Sequence, residues 1–487
     1  MDSVHPSHRV FDGKIFTQNK WLEPISSKTI SVFNPKDGSV ITDQHPVCNQ
    51  EDVDNVVKIA AEAFLKGPWP KFTGAQRGDC LTKFADLLEE HAEEAAYYES
   101  VCSGRVMSQL THEIPWIARV FRYYAGWCDK LEGESFTDDD GFYKIVRHEP
   151  IGVCAGITPW NGALFVLALK AAPALATGNT FILKPPEKSP MSSLFAATLF
   201  EKAGFPPGVF QIITGDGATG SLLSSHMGIQ KVSFTGSIKI GKIIQEAANS
   251  SNMKRVTLEL GGKSPALVFE DADMPKTVKW LTLGGTMNAG QNCTCPSRIY
   301  VHEAVAEKFI AGLKENFEHI ASTLGSDPID QGTSFGPVVD KAQYENVHAF
   351  IARGKEEATL ITGGYRFNGK GFYIPPTIFI NPSSNATIYK DEIFGPVVCV
   401  KIFKTEEEVV EWANDSEYGL AAYIFSESYQ RIFRVSKALR AGTVGVNAIS
   451  QLFPQTPFGG YKSSGQGREL GKYALTDFTE PKTIFLK

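Results

Sequence analysis

Gly152-Val153-Cys154-Ala155-Gly156-Ile157-Thr158-Pro159-Trp160-Asn161-Gly162 opens the part of the chain whose reading decides the fold. Six apolar residues run into a turn with Pro and Gly, which predicts a strand over residues 152–157 and, beyond the turn, a helix over 164–176. The alternation repeats: strand 180–183, helix 191–203, strand 209–213, a short helix 218–225, strand 231–234 and helix 238–248. Strands rich in branched residues and separated by helices predict parallel βαβ units with right-handed crossovers. Their succession is a doubly wound, nucleotide-binding layout.

Upstream, residues 21–43 alternate around Asn34-Pro35-Lys36-Asp37-Gly38, the pattern of a hairpin. Apolar residues three and four apart predict helices over 51–66 and 75–99, and Pro115 is expected to restart the chain into a helix over 116–130. A polar stretch, 132–140, leads to an alternating strand, 141–149, set aside as an arm outside the core. Downstream, from residue 256, a second α/β unit is expected, with strands 264–269, 298–302, 377–380 and 397–403. Its helices are placed at 274–287, 304–324, 341–357 and 406–414. Residues 474–486 read as extended and alternating, a partner for the arm.

Bulk properties narrow the function classes. A chain of 487 residues exceeds what one hydrophobic core sustains, so two or three domains are expected. A net charge of -6 over this length, with no lysine and arginine cluster interleaved with aromatics, argues against nucleic acid as a partner. The best apolar run, 163–176, is too short for a membrane span and contains Lys170. Residues 1–13 lack an apolar h-region and arginine-rich amphipathic character, so a cytoplasmic protein is expected. The eight cysteines are scattered, with no CxxC and no HExxH, which favours reduced thiols and no metal.

Four motifs carry chemistry. Cys293, in Gly290-Gln291-Asn292-Cys293-Thr294-Cys295, follows a helix end, where a sulfur flanked by N–H groups and polar side chains ionises more easily than a packed one. It is a candidate nucleophile, although a lone cysteine equally serves as a small buried hydrophobe. The turn Phe234-Thr235-Gly236-Ser237-Ile238-Lys239-Ile240-Gly241 joins a strand to a helix, whose first free N–H groups favour a pyrophosphate. A plain tight turn is its competing reading. Glu187, in Lys184-Pro185-Pro186-Glu187, is placed to accept from ribose hydroxyls and to disfavour a 2′-phosphate, against a solvated ion pair on a proline-stiffened loop. Together these two loops favour NAD over NADP. The Asn161 amide at a strand end can donate to a developing oxyanion, or simply make the turn. Glu259, in Thr257-Leu258-Glu259-Leu260-Gly261-Gly262, is a carboxylate in an apolar segment; burial would raise its pKa toward that of a general base, or pair it with a cation.

Taken together, Asn161, Lys184, Glu187, the 236–241 turn, Glu259-Leu260-Gly261-Gly262, Cys293, Glu392-Ile393-Phe394-Gly395-Pro396 and Pro457-Phe458-Gly459-Gly460-Tyr461-Lys462 resemble, in order and spacing, the motifs of the aldehyde dehydrogenase superfamily. The likeness runs from about Trp21 to the C-terminus. It implies an α/β protein of two doubly wound domains. These are a Rossmann-like NAD-binding domain (1–130 and 151–257) and a catalytic domain (258–460), with a small β oligomerisation arm (131–150 and 474–487). The resemblance also implies that Cys293 adds to an aldehyde carbon, that Asn161 and the Cys293 N–H hold the oxygen, and that Glu259 activates water against the thioester. Lys170 and Glu469 match a proton relay. Lys184 and Glu187 match adenine-ribose contacts, Trp160 and Ser237 match pyrophosphate contacts, and Glu392 and Phe394 match nicotinamide contacts. Ile157, Thr158, Gly217, Phe234, Gly236, Ile240, Leu260 and Gly261 complete the expected NAD cradle.

One departure bears on the substrate. Gly162, Leu169 and Leu452 stand where many members carry bulky aromatics lining the tunnel, whereas Phe458 keeps a ring. A wider tunnel and a larger, aromatic or terpenoid aldehyde are expected, with Asn292 and Thr294 flanking the thiol. The competing readings are a CoA-acylating dehydrogenase, which generally lacks the water-activating glutamate, a non-redox thiol esterase, and a non-catalytic binding protein. A homo-oligomer, dimer or tetramer, is expected.

Overall fold

The computed structural model describes residues 11–449 and 451–487; most of the N-terminal stretch read above for targeting lies outside them. The alternation that opens at Val153 builds an eight-stranded sheet with the order Gly465–Gln466, Arg255–Glu259, Lys231–Thr235, Val153–Ile157, Thr180–Lys184, Phe210–Ile212, Ile15–Thr17, Lys20–Leu22. Its five central strands are parallel. Four of them are buried at nearly every residue, as both faces of a parallel sheet require, while Arg255–Glu259 is buried only at Leu258 and Glu259. The chain runs outward from Val153–Ile157 on one side, then returns to add Lys231–Thr235 on the other. The crevice between these neighbours is therefore the topological switch point, where doubly wound sheets bind ligands at their carboxyl ends.

A seven-stranded sheet forms the second layer, ordered Thr359–Thr362, Thr377–Ile380, Val397–Phe403, Arg298–His302, Pro265–Val268, Ala421–Phe425, Thr443–Val446, with only the first strand antiparallel. A third sheet pairs Tyr143–Pro150 with Thr479–Leu486 in unbroken antiparallel register and with Glu134–Phe136 on its other side.

The structure revises several expected boundaries. The single helix expected over 75–99 is two, Gly74–Glu90 and Ala92–Ser103, parted at His91. Both pack on Met107–Ala125 and on Met191–Lys202, with the break at His91 changing the direction of the second. Pro115 does not restart the chain: it lies inside the helix Met107–Ala125, which ends before Lys130. Burial of Met107, Leu110, Ile114, Ile117 and Phe121 outweighs the roughly 3 kcal/mol that an interior proline costs. Residues 473–477 form a short helix before the C-terminal strand begins at Thr479. Arg255–Glu259 pairs with Lys231–Thr235, so the division expected after residue 257 falls inside a strand of the first sheet. Ala421–Phe425, Tyr429–Ala438 and Thr443–Val446 add a further βαβ unit that sequence reading missed. Among the described residues no helix is long and apolar enough to cross a membrane.

Candidate active site

The two sheets present opposite ends to one crevice. From the first come the carboxyl ends: Thr158 to Asn161 follow Ile157, Gly236 and Ser237 follow Thr235, and Glu259 closes its own strand. From the second come the loops that precede its strands: Gly261-Gly262 before Pro265, Cys293 before Arg298, and Glu392 to Phe394 before Val397.

Cys293 is carried by an unusual turn. The helix Met274–Thr286 ends, and Asn288 and Ala289 take left-handed φ of 53° and 52° ahead of Gly290 at 72°. A Cβ on Gly290 would stand 2.2 Å from the Gly395 carbonyl oxygen, so glycine is required on both counts. The turn is braced from within: Gln291 Nε2 donates to the Asn288 oxygen at 2.9 Å, its Oε1 accepts from Val339 N–H at 3.0 Å, and Asn292 Nδ2 donates to the Met287 oxygen at 2.9 Å. The Tyr423 hydroxyl donates to the Thr294 oxygen at 2.6 Å. Asn292 and Thr294, expected to flank the substrate, thus also hold the loop.

Asn161 Nδ2 donates to the Gln291 oxygen at 2.9 Å, and Asn288 Nδ2 reaches the Asn161 backbone oxygen at 3.1 Å. The amide therefore lies against the segment that ends in the thiol, with one of its two N–H groups engaged. A Cβ on Gly262 would stand 2.1 Å from the Cys293 carbonyl oxygen, and the Gly262 N–H donates to Glu392 Oε1 at 2.9 Å. That glycine joins the Cys293 and Glu392 segments.

The expectation that a turn eases ionisation of the thiol is reversed. Cys293 is half-buried, and burial, followed by the Glu392 and Glu259 carboxylates, pushes its pKa well above that of a free thiol. Burial likewise pushes Glu392 up to about 7, opposed by the Gly262 N–H and by Lys263.

Glu259 is 4% exposed, and among the described residues neither of its oxygens meets a hydrogen-bond partner. Burial raises its pKa well above the carboxylate range; the charge of Glu469 adds to this, and Lys170 and Arg468 oppose it. Of the two alternatives the sequence left open, a buried ion pair does exist here, but on the neighbouring carboxylate. Lys170, fully buried, donates to Glu469 Oε1 at 2.6 Å and to Ser233 Oγ at 3.0 Å. Removing the lysine would strand a buried carboxylate beside Glu259. Lys170→Met is therefore expected to cost about 3–5 kcal/mol of stability. Urea unfolding checks this; a loss below about 1 kcal/mol contradicts it.

The nucleotide side is built from the first sheet. Lys184 Nζ, buried, lies 3.3 Å from Glu187 Oε2; burial pulls its pKa down and Glu187 opposes. Ser237 caps the helix Ile238–Ser250 through Ile240 N–H at 3.4 Å, and Gly217 opens the helix Gly217–Ser225 with nothing within 4 Å of a Cβ built there. Gly236 leaves no room for any other residue: a Cβ would meet the Phe234 ring at 2.4 Å. Ile157, Phe234 and Leu260 are buried in one apolar cluster beneath these turns, and Thr158 is buried above it. Trp160 meets Phe394 edge to face with centroids 5.2 Å apart. A Cβ on Gly261 would stand 2.2 Å from Glu392 Oε2, so that carboxylate closes on bare backbone. Two helix starts and the half-buried Glu187 carboxylate at the carboxyl end of a parallel strand suit a dinucleotide, with phosphates at the former and ribose hydroxyls at the latter.

On the substrate side, Leu169 and Phe458 are buried in the apolar cluster against which Cys293 and Leu452 pack. Gly162 is buried, and a Cβ built there would make ordinary contacts with Phe165 Cβ at 3.6 Å and Arg105 Nη1 at 4.0 Å. Sequence reading missed two rings packed on the same cluster. Trp116 and Phe165 stack at 4.9 Å and 18°, and Trp116 Nε1 donates to the Leu452 oxygen at 3.0 Å. Helical spacing places both in helices; nothing in it says that they stack or pack on the cluster that also holds Cys293.

The aldehyde dehydrogenase family model matches residues 21–484. Aldehyde dehydrogenase, cytosolic 1, of Elephantulus edwardii is 43% identical over 478 residues, 97% of this chain and 95% of that protein. Retinal dehydrogenase 2 of Homo sapiens is 42% identical over 491 residues, covering 100% of this chain and 94% of its own length. The NAD+ complex of an aldehyde dehydrogenase from Bacillus cereus superposes with a TM-score of 0.95 at 40% identity, over 100% of this chain and 99% of that one. The crevice between the two sheets is thus set in a chain that belongs to the aldehyde dehydrogenase family and acts as an NAD-dependent aldehyde dehydrogenase.

Proposed function

We propose that the aldehyde is oxidised to its carboxylic acid through covalent capture by Cys293. The observation that carries this reading is the convergence on one turn of the thiol, the Asn161 amide at Gln291, and the unpartnered Glu259 carboxylate. The Cys293 thiolate adds to the carbonyl carbon; a C–S bond forms and the π pair moves to oxygen. The free Asn161 N–H and the Cys293 backbone N–H hold that oxyanion, a contribution of about 3–4 kcal/mol per donor in comparable sites. NAD+, when bound, supplies the two-electron oxidant that takes the captured carbon to the acyl level. Glu259 then takes a proton from water, the water oxygen bonds to the acyl carbon, and the C–S bond breaks to free the acid and Cys293. Glu469, held by Lys170, stands next to Glu259 as the outlet for that proton. Lys184 and Glu187 would hold the adenine ribose, Trp160 and Ser237 the pyrophosphate, and Glu392 and Phe394 the nicotinamide half.

The substrate is proposed to be a bulky aldehyde, aromatic or terpenoid. The absence of a side chain at Gly162 and the aliphatic groups at Leu169 and Leu452 support this, as does the retinal named for a relative 42% identical. The Trp116 and Phe165 stack supplies a flat apolar wall in place of the missing rings. Across a panel, kcat/KM for an aromatic or terpenoid aldehyde is expected to exceed that for acetaldehyde by at least about tenfold. Preference for acetaldehyde would refute this choice.

We also propose a homo-oligomer joined through the arm. Among the described residues the three-stranded sheet has two unpaired edges, and it exposes Phe136, Tyr143, Phe485 and Leu486, an arrangement that invites edge pairing with another copy. Truncation after Phe478 is expected to lower the mass seen by light scattering, and an unchanged mass would count against the arm.

A further inference from the structure

The helix Ala163–Ala176 starts two residues after Asn161, and its N-cap, Gly162, brings no side chain to the free N–H groups. They are met from another helix. The carboxylate of Glu99, 1% exposed, accepts from Ala163 N–H at 3.0 Å and Leu164 N–H at 3.5 Å, and from the Ser192 hydroxyl. Arg105 Nη1 lies 3.8 Å from Glu99 Oε1 and grips Glu113 through bonds of 2.7 and 2.6 Å.

This is an expensive cap. Burying a carboxylate costs several kcal/mol even when it is paired, whereas a serine or aspartate at the N-cap is the ordinary solution. A Cβ at position 162 would meet no atom closer than 3.6 Å. What the distant cap achieves is to hold the turn from a separate helix while position 162 carries no side chain. Asn161 sits on that turn, with its amide 2.9 Å from the Gln291 oxygen.

We infer that Glu99 is a positioning residue for the oxidation: by gripping the Ala163 and Leu164 N–H groups it fixes the Asn161 amide against the Cys293 turn. The inference rests on the reading of Asn161 as the oxyanion donor. Glu99→Ala is expected to lower kcat about 10- to 100-fold, the effect of a misplacement near 1 Å, with KM for NAD within about twofold of the unaltered enzyme. In an Asn161→Ala background the same change should alter kcat by less than about twofold, because a displaced amide no longer matters. Glu99→Gln, which keeps one acceptor oxygen, should recover part of the loss, and it carries the same comparison if Glu99→Ala does not fold. Equal fold-losses in both backgrounds, accompanied by lower melting temperatures, would show a purely structural role and overturn the inference. So would full kcat in the folded Glu99 variants. Should Asn161→Ala itself retain full kcat, the oxyanion reading fails first, and the inference falls with it by a distinguishable route.

Discussion

Cys293→Ala is expected to lower NAD-dependent aldehyde oxidation by roughly 10⁴-fold or more, the scale seen when a covalent nucleophile is removed. Fold and nucleotide affinity should survive. The thiol is half-buried on a turn held by Gln291, Asn292 and Tyr423, none of which bonds to the sulfur. Loss of one sulfur atom there removes little packing, so melting should shift by no more than a few degrees. NADH absorbance measures the rate, and thermal melting with and without NAD reports fold and binding. Substantial oxidation by the variant would remove covalent capture from the mechanism; lost activity together with lost folding would assign Cys293 a structural part.

Glu259→Gln separates the two halves of the reaction. In the proposed mechanism, capture and oxidation need the thiolate and the oxyanion donors, whereas release of the acid needs the carboxylate as base. One NADH per subunit should therefore still form in a burst, followed by a steady state slower by roughly 10²–10⁴-fold, the usual worth of a general base. An acyl adduct on Cys293 should accumulate and be visible in the mass of the intact protein. The pH dependence has a definite sign. Burial and the nearby Glu469 hold the Glu259 carboxyl protonated to higher pH than an ordinary glutamate, and only its ionised form accepts a proton. Steady-state turnover should rise with pH through that elevated pKa and fall on the acid side, and the variant should lose this limb. Its burst rate, which reports capture, should still rise with pH, owed to the raised pKa of Cys293. An unchanged steady state would place the base elsewhere.

Much of the fold could be read from local pattern. Strands 153–157, 180–184 and 231–235 and the helices between them follow from apolar runs bounded by Gly and Pro turns, because a buried parallel strand needs nothing more specific. The edges were less legible. Gly465–Gln466 joins Arg255–Glu259 across some 200 residues of chain, and no local pattern encodes so distant a pairing. Pro115 sits inside a helix and His91 breaks one for the same reason: packing partners far away in sequence set the local conformation.

For the site, the sequence determined the chemical identities, the thiol, the amide, the carboxylates and the glycine turns, since these are properties of single residues and short motifs. Only the tertiary structure decided their environment. It placed Cys293 among carboxylates that raise its pKa, left Glu259 unpartnered while pairing Lys170 with Glu469, stacked Trp116 on Phe165, and put Glu99 beneath Asn161. Desolvation and Coulomb interaction depend on distances between atoms, and those distances are fixed only when two sheets from separate halves of the chain close on one crevice.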